Sequence, residues 1–179
     1  MVANNSPRTY TLESIEKVAS DLHRDYADQN SLITIGQLKN LAESIGAKVE
    51  LVVFKPDTVS ARVLGGDGSY KIQISDNEPM QRQKFSLAHE IGHIILHDVD
   101  KEKEKEFIEY RKPILDYADS SLLYKETQAN AFAAALLIPK EDAINVWDSV
   151  KDIDDFAEIF EVSKAAAYNR LSNLGLLEF

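Results

Sequence analysis

Five consecutive residues carry the most chemistry in this chain: His89-Glu90-Ile91-Gly92-His93, the H-E-x-x-H pattern. On an α-helix, residues four apart share one face about one turn apart, so both imidazoles can reach a single ion at the ~2.0–2.1 Å of a Zn–N bond. Glu90 lies beside the pair without being a ligand. From there its carboxylate can take a proton from a water acidified by the metal and hand it to a leaving amine, the base and acid roles of metal-assisted hydrolysis. The alternative is a pair of histidines merely packed or exposed on a helix. Apolar surroundings weigh against it, because an uncoordinated imidazole there leaves two desolvated ring nitrogens.

An open catalytic zinc site takes three protein ligands, so a third must be found. The metzincin extension would place Gly at 96 and His at 99, where this chain has Leu96 and Val99. His97 lies about 12 Å along the helix axis from His89, too far for all three histidines to share one ion easily. It reads as a residue that supports a ligand from behind, or as core. The better candidate is Glu126, the only acidic residue of the apolar segment from Ser121 to Ile138. An isolated carboxylate on a buried helix is costly without a cation. Its alternative place is the solvent face, beside Lys125. An oxyanion-stabilising residue is also needed, and Tyr110, Tyr117, Tyr124, Tyr168 and Arg82 all stay open for that role.

These residues need elements to hold them. Leu12, Ile15, Val18, Ala19, Leu22 and Tyr26 recur at three- and four-residue spacings and predict an amphipathic helix. Thr34 and Gln37 form a capping-box pair ahead of Leu38, Leu41, Ala42 and Ile45, and Gly46 ends that second helix. Val49 to Phe54, Val59 to Leu64 and Tyr70 to Ser75 read as strands, with a turn at Pro56-Asp57. The glycine cluster Gly65-Gly66-Asp67-Gly68 leads into a strand rather than a helix, so it reads as a turn and not as a phosphate loop. Met80 to His97 is apolar around most of its circumference, which predicts a central, buried helix. Asp98 to Glu109 alternates acid and lysine and reads as a solvated helix end or loop, or as a flap over a neighbouring site. Ser121 to Ile138 is a further apolar helix ended near Pro139, and Glu141 to Trp147, Ile153 to Phe160 and Lys164 to Asn173 are shorter ones, the last with Ser163 as N-cap.

The expected fold is α+β: a small antiparallel sheet packed on a central helix that bears the H-E-x-x-H residues, with a mostly helical C-terminal half. Residues 1–139 form the main domain and 140–179 a helical subdomain with helix-turn-helix spacing, packed on the same domain.

Composition removes whole classes of function. A chain of 179 residues can bury a core without disulfides or a structural metal, which leaves any metal free to be functional. With no cysteine, disulfide scaffolds, thiolate zinc sites, iron-sulfur clusters and thiol catalysis are excluded together. The formal charge of -10 repels phosphate backbones and anionic lipid. From Lys140 onward nine acidic residues face four basic ones, so the C-terminal helices are expected to pack or to dock a protein rather than to bind DNA. No apolar run reaches the roughly 18 residues of a membrane span, or the length of a signal peptide, and the expected location is the cytoplasm.

The stretch from Phe85 to His97 (FSLAHEIGHIILH) and that from Glu126 to Pro139 (ETQANAFAAALLIP) resemble the two signature segments of the ImmA/IrrE family of metallopeptidases. The resemblance extends to the strand before them and to the closing stretch from Phe160 to Leu177. It implies a gluzincin-like arrangement in which His89, His93 and Glu126 ligate the metal and Glu90 activates water. The metal it implies is Zn2+, with Mn2+ or another divalent ion as the alternative. Members of that family relieve repression by cleaving or otherwise inactivating a helix-turn-helix repressor. By resemblance, then, the partner is an Xre-type repressor or an antitoxin encoded nearby, expected here as a separate polypeptide because the chain leaves no room for a DNA-binding domain of its own. The rival readings are a non-proteolytic anti-repressor and a toxin component, each acting by binding its partner.

Overall fold

The computed structural model describes residues 10–55, 57–66, 68–97, 106–110 and 120–177, with the backbone alone for 106–110, 120 and 121. Helix α1 (Leu12–Tyr26) starts where the Thr11 hydroxyl accepts a bond from the Ser14 amide, and it buries Ile15, Ala19 and His23. Helix α2 (Ile35–Ser44) starts on the expected capping box: Gln37 accepts from the Thr34 amide at 2.7 Å, and Thr34 accepts from the Gln37 amide. Two orphan donors are thereby satisfied at one helix end. Gly46 stops the helix in the left-handed region at φ 82, a conformation that a Cβ would disfavour.

Four strands follow: β1 (Ala47–Val52), β2 (Val59–Gly66), β3 (Ser69–Ser75) and β4 (Glu106–Tyr110). Their order in the sheet is β1-β3-β2-β4. β2 and β3 form a hairpin in which Gly66 pairs with Ser69 and Gly68 takes φ 72, the turn expected of the glycine cluster. The sheet is mixed, however, and not wholly antiparallel. β1 runs parallel to β3, with Val49 opposite Ile72, because β3 inserts between β1 and β2. The link from Val52 to Val59 is long enough to step over one strand, two spacings or about 9.5 Å. Alternation shows which side chains face the core but says nothing of which strand lies next to which.

A second departure lies in the charged stretch after the long helix. Residues 98–105 fall outside the described residues, but 106–110 are neither loop nor helix end. They form edge strand β4, paired antiparallel with β2 through Val63 and Phe107. Phe107, Ile108 and Tyr110 give this segment a strand's composition, and Glu106 and Glu109 add the charge that suits an edge.

Helix α3 (Met80–Leu96) crosses the sheet and is buried around most of its circumference. It is followed by α4 (Ser120–Leu137), α5 (Lys140–Val150), α6 (Ile153–Ile159) and α7 (Lys164–Asn173). Ser163 caps α7 as expected, accepting from the Ala166 amide. One continuous core joins Ile72 and Ile74 of the sheet, Leu87 and Ile91 of α3, Phe132 and Leu136 of α4, and Phe156 and Leu171 of the last two helices. The C-terminal helices are also tied by polar struts. Arg170 donates to the Ile138 carbonyl at 2.8 Å and to Glu16 at 2.6 Å, while fully buried Lys84 of α3 donates to the Phe160 carbonyl at 3.0 Å. Among the described residues no helix is long and apolar enough to cross a membrane.

Candidate metal centre

The site is built where α3 packs against α4, and a glycine permits the close contact. A Cβ on Gly92 would lie 3.0 Å from Phe132 Cδ1 and 3.4 Å from the Ala129 Cα, tighter than ordinary carbon contact, so a side chain there would push on α4. One residue after Gly92, and three before it, stand the two histidines. Three residues before Ala129, almost one turn back along α4, stands Glu126.

His89 Nε2 and His93 Nε2 are 2.9 Å apart, and Glu126 presents Oε2 to the first at 3.2 Å and Oε1 to the second at 3.1 Å. All three residues are buried, Glu126 at 7% exposure, so the solvent-face alternative for Glu126 does not hold. Donors about 2.0–2.1 Å from a tetrahedral ion are about 3.3 Å from one another, and the observed spacings approach that edge. These three side chains are the one such group among the described residues that could hold a metal ion.

The protonation states fit as well. Burial alone would raise the Glu126 carboxyl, but the imidazoles of His89 and His93 on its two oxygens outweigh that and hold it at about 2. Burial is the main cause that lowers His93 to about 4, against the pull of Glu126. At neutral pH Glu126 is therefore a carboxylate and His93 a neutral imidazole. That donor set suits a divalent cation of zinc type and leaves one negative charge to neutralise part of it. Glu90, the residue after His89, is fully buried on the same helix.

Two further residues belong to the centre that were not among the candidate site residues. Asn130 sits one turn beyond Glu126, and its Oδ1 lies 2.9 Å from His89 Nδ1. That nitrogen donates, so the His89 lone pair is left on Nε2, facing Glu126 and His93. Gln128 is buried and places Oε1 3.1 Å from His97 Nε2. The i, i+4 relation of Glu126 and Asn130 was the available signal for Asn130. Gln128 had none, since its role depends on where α3 ends. His97 itself is the C-cap of α3 and stands behind His93, Nδ1 to Nδ1 at 2.9 Å, rather than among the three converging donors.

Of the residues open for an oxyanion role, Arg82 is engaged with Ser60 and Glu78, and the Tyr124 hydroxyl donates to the Tyr10 carbonyl at 3.2 Å. Tyr168 is a half-exposed residue of α7, Tyr110 belongs to β4, and Tyr117 lies outside the described residues.

Fold and site together define an α+β domain whose central H-E-x-x-H helix shares a buried His-His-Glu cluster with the following helix, the layout of a metallopeptidase. The chain belongs to the Peptidase_M78 family, matching its IrrE N-terminal-like domain over residues 42–172. Among solved structures it is similar to a Mycobacterium tuberculosis transcriptional regulator, with a TM-score of 0.67 at 18% identity, over 89% of this chain and 46% of that one. The likeness at that identity is one of fold, and this chain spans about half the length of that protein. No curated protein matches the chain in sequence.

Proposed function

We propose that this protein is a metal-dependent endopeptidase of the cytoplasm in which His89, His93 and Glu126 ligate a divalent ion, zinc in the first instance, and Glu90 is the general base. The observation that carries the reading is the convergence of two imidazole nitrogens and one carboxylate within 3.2 Å of one another at a buried helix-helix contact. When bound there, a divalent ion supplies Lewis acidity, which acidifies water and polarises a peptide carbonyl. Glu90 accepts the proton of the attacking water on a carboxylate oxygen and returns it to the leaving amine. Asn130 keeps His89 oriented through Nδ1, and α3 and α4, packed through Gly92, hold the two halves of the donor set in register.

The proposed substrate is a helix-turn-helix repressor of Xre type, or an antitoxin, encoded nearby, whose cleavage or inactivation gives derepression. Membership of the peptidase family supports the chemistry, and the regulator name carried by a protein of similar fold supports the setting. The test mixes the purified protein with the repressor-like product of the adjacent gene, with added zinc or chelator, and follows the partner's intact mass. A discrete zinc-dependent cut made by wild type and absent in Glu90→Gln is the expected result. An intact partner that nonetheless leaves its operator would replace cleavage by sequestration. A partner neither cut nor displaced would refute the assignment of that substrate.

A further inference from the structure

His97 and Gln128 take no part in the chemistry above, yet both are held close behind it in a string whose direction can be read from its far end. The Tyr10 carbonyl can only accept, and Gln128 Nε2 donates to it at 2.8 Å. That bond fixes the amide with Oε1 turned toward α3. Oε1 also can only accept, so His97 Nε2, 3.1 Å away, carries the proton of that ring. A neutral His97 then has a bare Nδ1. Across 2.9 Å from it stands His93 Nδ1, which must be the donor of that contact. The last proton of the string is thereby placed on His93 Nδ1, and the remaining lone pair of His93 lies on Nε2, the atom that faces His89 and Glu126.

We propose that His97 is a positioning residue for the metal centre: the one-way string from the Tyr10 carbonyl through Gln128 and His97 holds His93 as its Nδ1–H tautomer and keeps the Nε2 lone pair aimed at the ion. Above the ordinary imidazole pKa of about 6.5 a ring carries one proton, so the choice of tautomer is a real one. The string matches what Asn130 does for His89, so each histidine is oriented from behind by a separate acceptor. Its parts come from three places: Tyr10 before α1, Gln128 on α4, and the C-cap of α3. His97 can reach back because it is the cap residue, with non-helical φ -113 and ψ 13, while its amide still donates to the His93 carbonyl at 3.1 Å.

The inference rests on the reading of His89, His93 and Glu126 as ligands, and the test separates the two. The full chain is labelled with 15N-histidine, and long-range proton-nitrogen spectra of the zinc-free protein are recorded at neutral pH for wild type, His97→Phe and His97→Asn. Zinc affinity is measured for the same three by competition with a chromophoric chelator. Phe keeps the ring but cannot accept, whereas the Asn carbonyl stands near the place of the imidazole Nδ1. Wild type is expected to show His93 protonated on Nδ1, against the pull of the Glu126 carboxylate 3.1 Å from Nε2. His97→Phe is expected to show Nε2 protonation of His93 and a loss of zinc affinity of about 10- to 100-fold, with His97→Asn recovering most of it.

Protonation of His93 on Nε2 in wild type would overturn the proposal even if His97→Phe fails to fold. So would a His97→Phe protein that binds zinc as tightly as wild type. A wild type that takes up no zinc would refute the ligand reading, and the proposal with it, whichever tautomer is seen.

Discussion

Gly92→Ala tests whether the contact between α3 and α4 sets the metal geometry. The new Cβ would stand 3.0 Å from Cδ1 and 3.3 Å from Cγ of Phe132, and 3.4 Å from the Ala129 Cα. Optimal carbon contacts lie at about 3.5–4.0 Å, so the ring has to retreat by about 0.5 Å. Phe132 is fully buried and cannot swing into solvent, and Ala129 contributes backbone. The strain therefore passes to α4 as a whole, which also carries Glu126 and Asn130. Overpacking of this kind costs about 1–3 kcal/mol, and Ala in place of Gly in a helix interior returns about 1 kcal/mol, for a net loss of about 0–2 kcal/mol. In a domain of this size that lowers Tm by at most about 8 °C. The metal centre is less tolerant, since ligand distances are held to within about 0.2 Å. Zinc affinity is expected to fall at least about tenfold, or about 1.4 kcal/mol. The assay pairs chelator competition for zinc with thermal melts in excess chelator. Wild-type zinc affinity in a variant that melts at lower temperature would refute the reasoning, because the ring would then have yielded without moving Glu126.

Asn130→Leu removes the acceptor behind His89 and should weaken zinc binding by about 10- to 100-fold, measured by the same competition, while Asn130→Asp retains most of the affinity. In the zinc-free protein His93 titrates at about 4 against an ordinary 6.5, so between those values the folded state binds fewer protons than the unfolded one. The stability it contributes is present above pH 6.5 and is lost as pH falls through 4, on the order of 3 kcal/mol. Glu126 acts with the same sign in a lower window, from 4.5 to about 2. Denaturant unfolding in chelator from pH 7.5 to 4 should accordingly fall more steeply for wild type than for His93→Gln, and equal slopes would rule this out. Lys84 supports the join of α3 to the end of α6, donating to the Phe160 carbonyl and lying 3.5 Å from half-exposed Glu161. Lys84→Met should cost about 1–3 kcal/mol in urea unfolding by leaving that carbonyl without its donor, and Glu161→Gln less than about 1 kcal/mol; the reverse order would show that the ion pair dominates.

Much of this protein was legible in its linear order because the signals are local. Helix ends at Thr34 and Ser163 follow from side chains that cap amides three residues away, and the burial of α3 follows from apolar residues around most of its circumference. The pairing of His89 with His93 is a property of the helical period alone. Glu126 could be nominated from its lone charge in an apolar segment. That it faces the two histidines depends on how α4 lies against α3, 33 residues further along the chain from His93.

The relations between elements follow from packing in space. β1 lies beside β3 and parallel to it, and the segment at 106–110 closes the other edge as a strand, because pairing partners are chosen in space and not by period. Gln128 reveals a role only once the end of α3, the body of α4 and the Tyr10 carbonyl are in contact. Residue types and local spacing determined which groups could ligate a metal and move a proton. The packing of two helices through Gly92 determined that three of them meet, and the hydrogen bonds behind them determined which lone pairs they present.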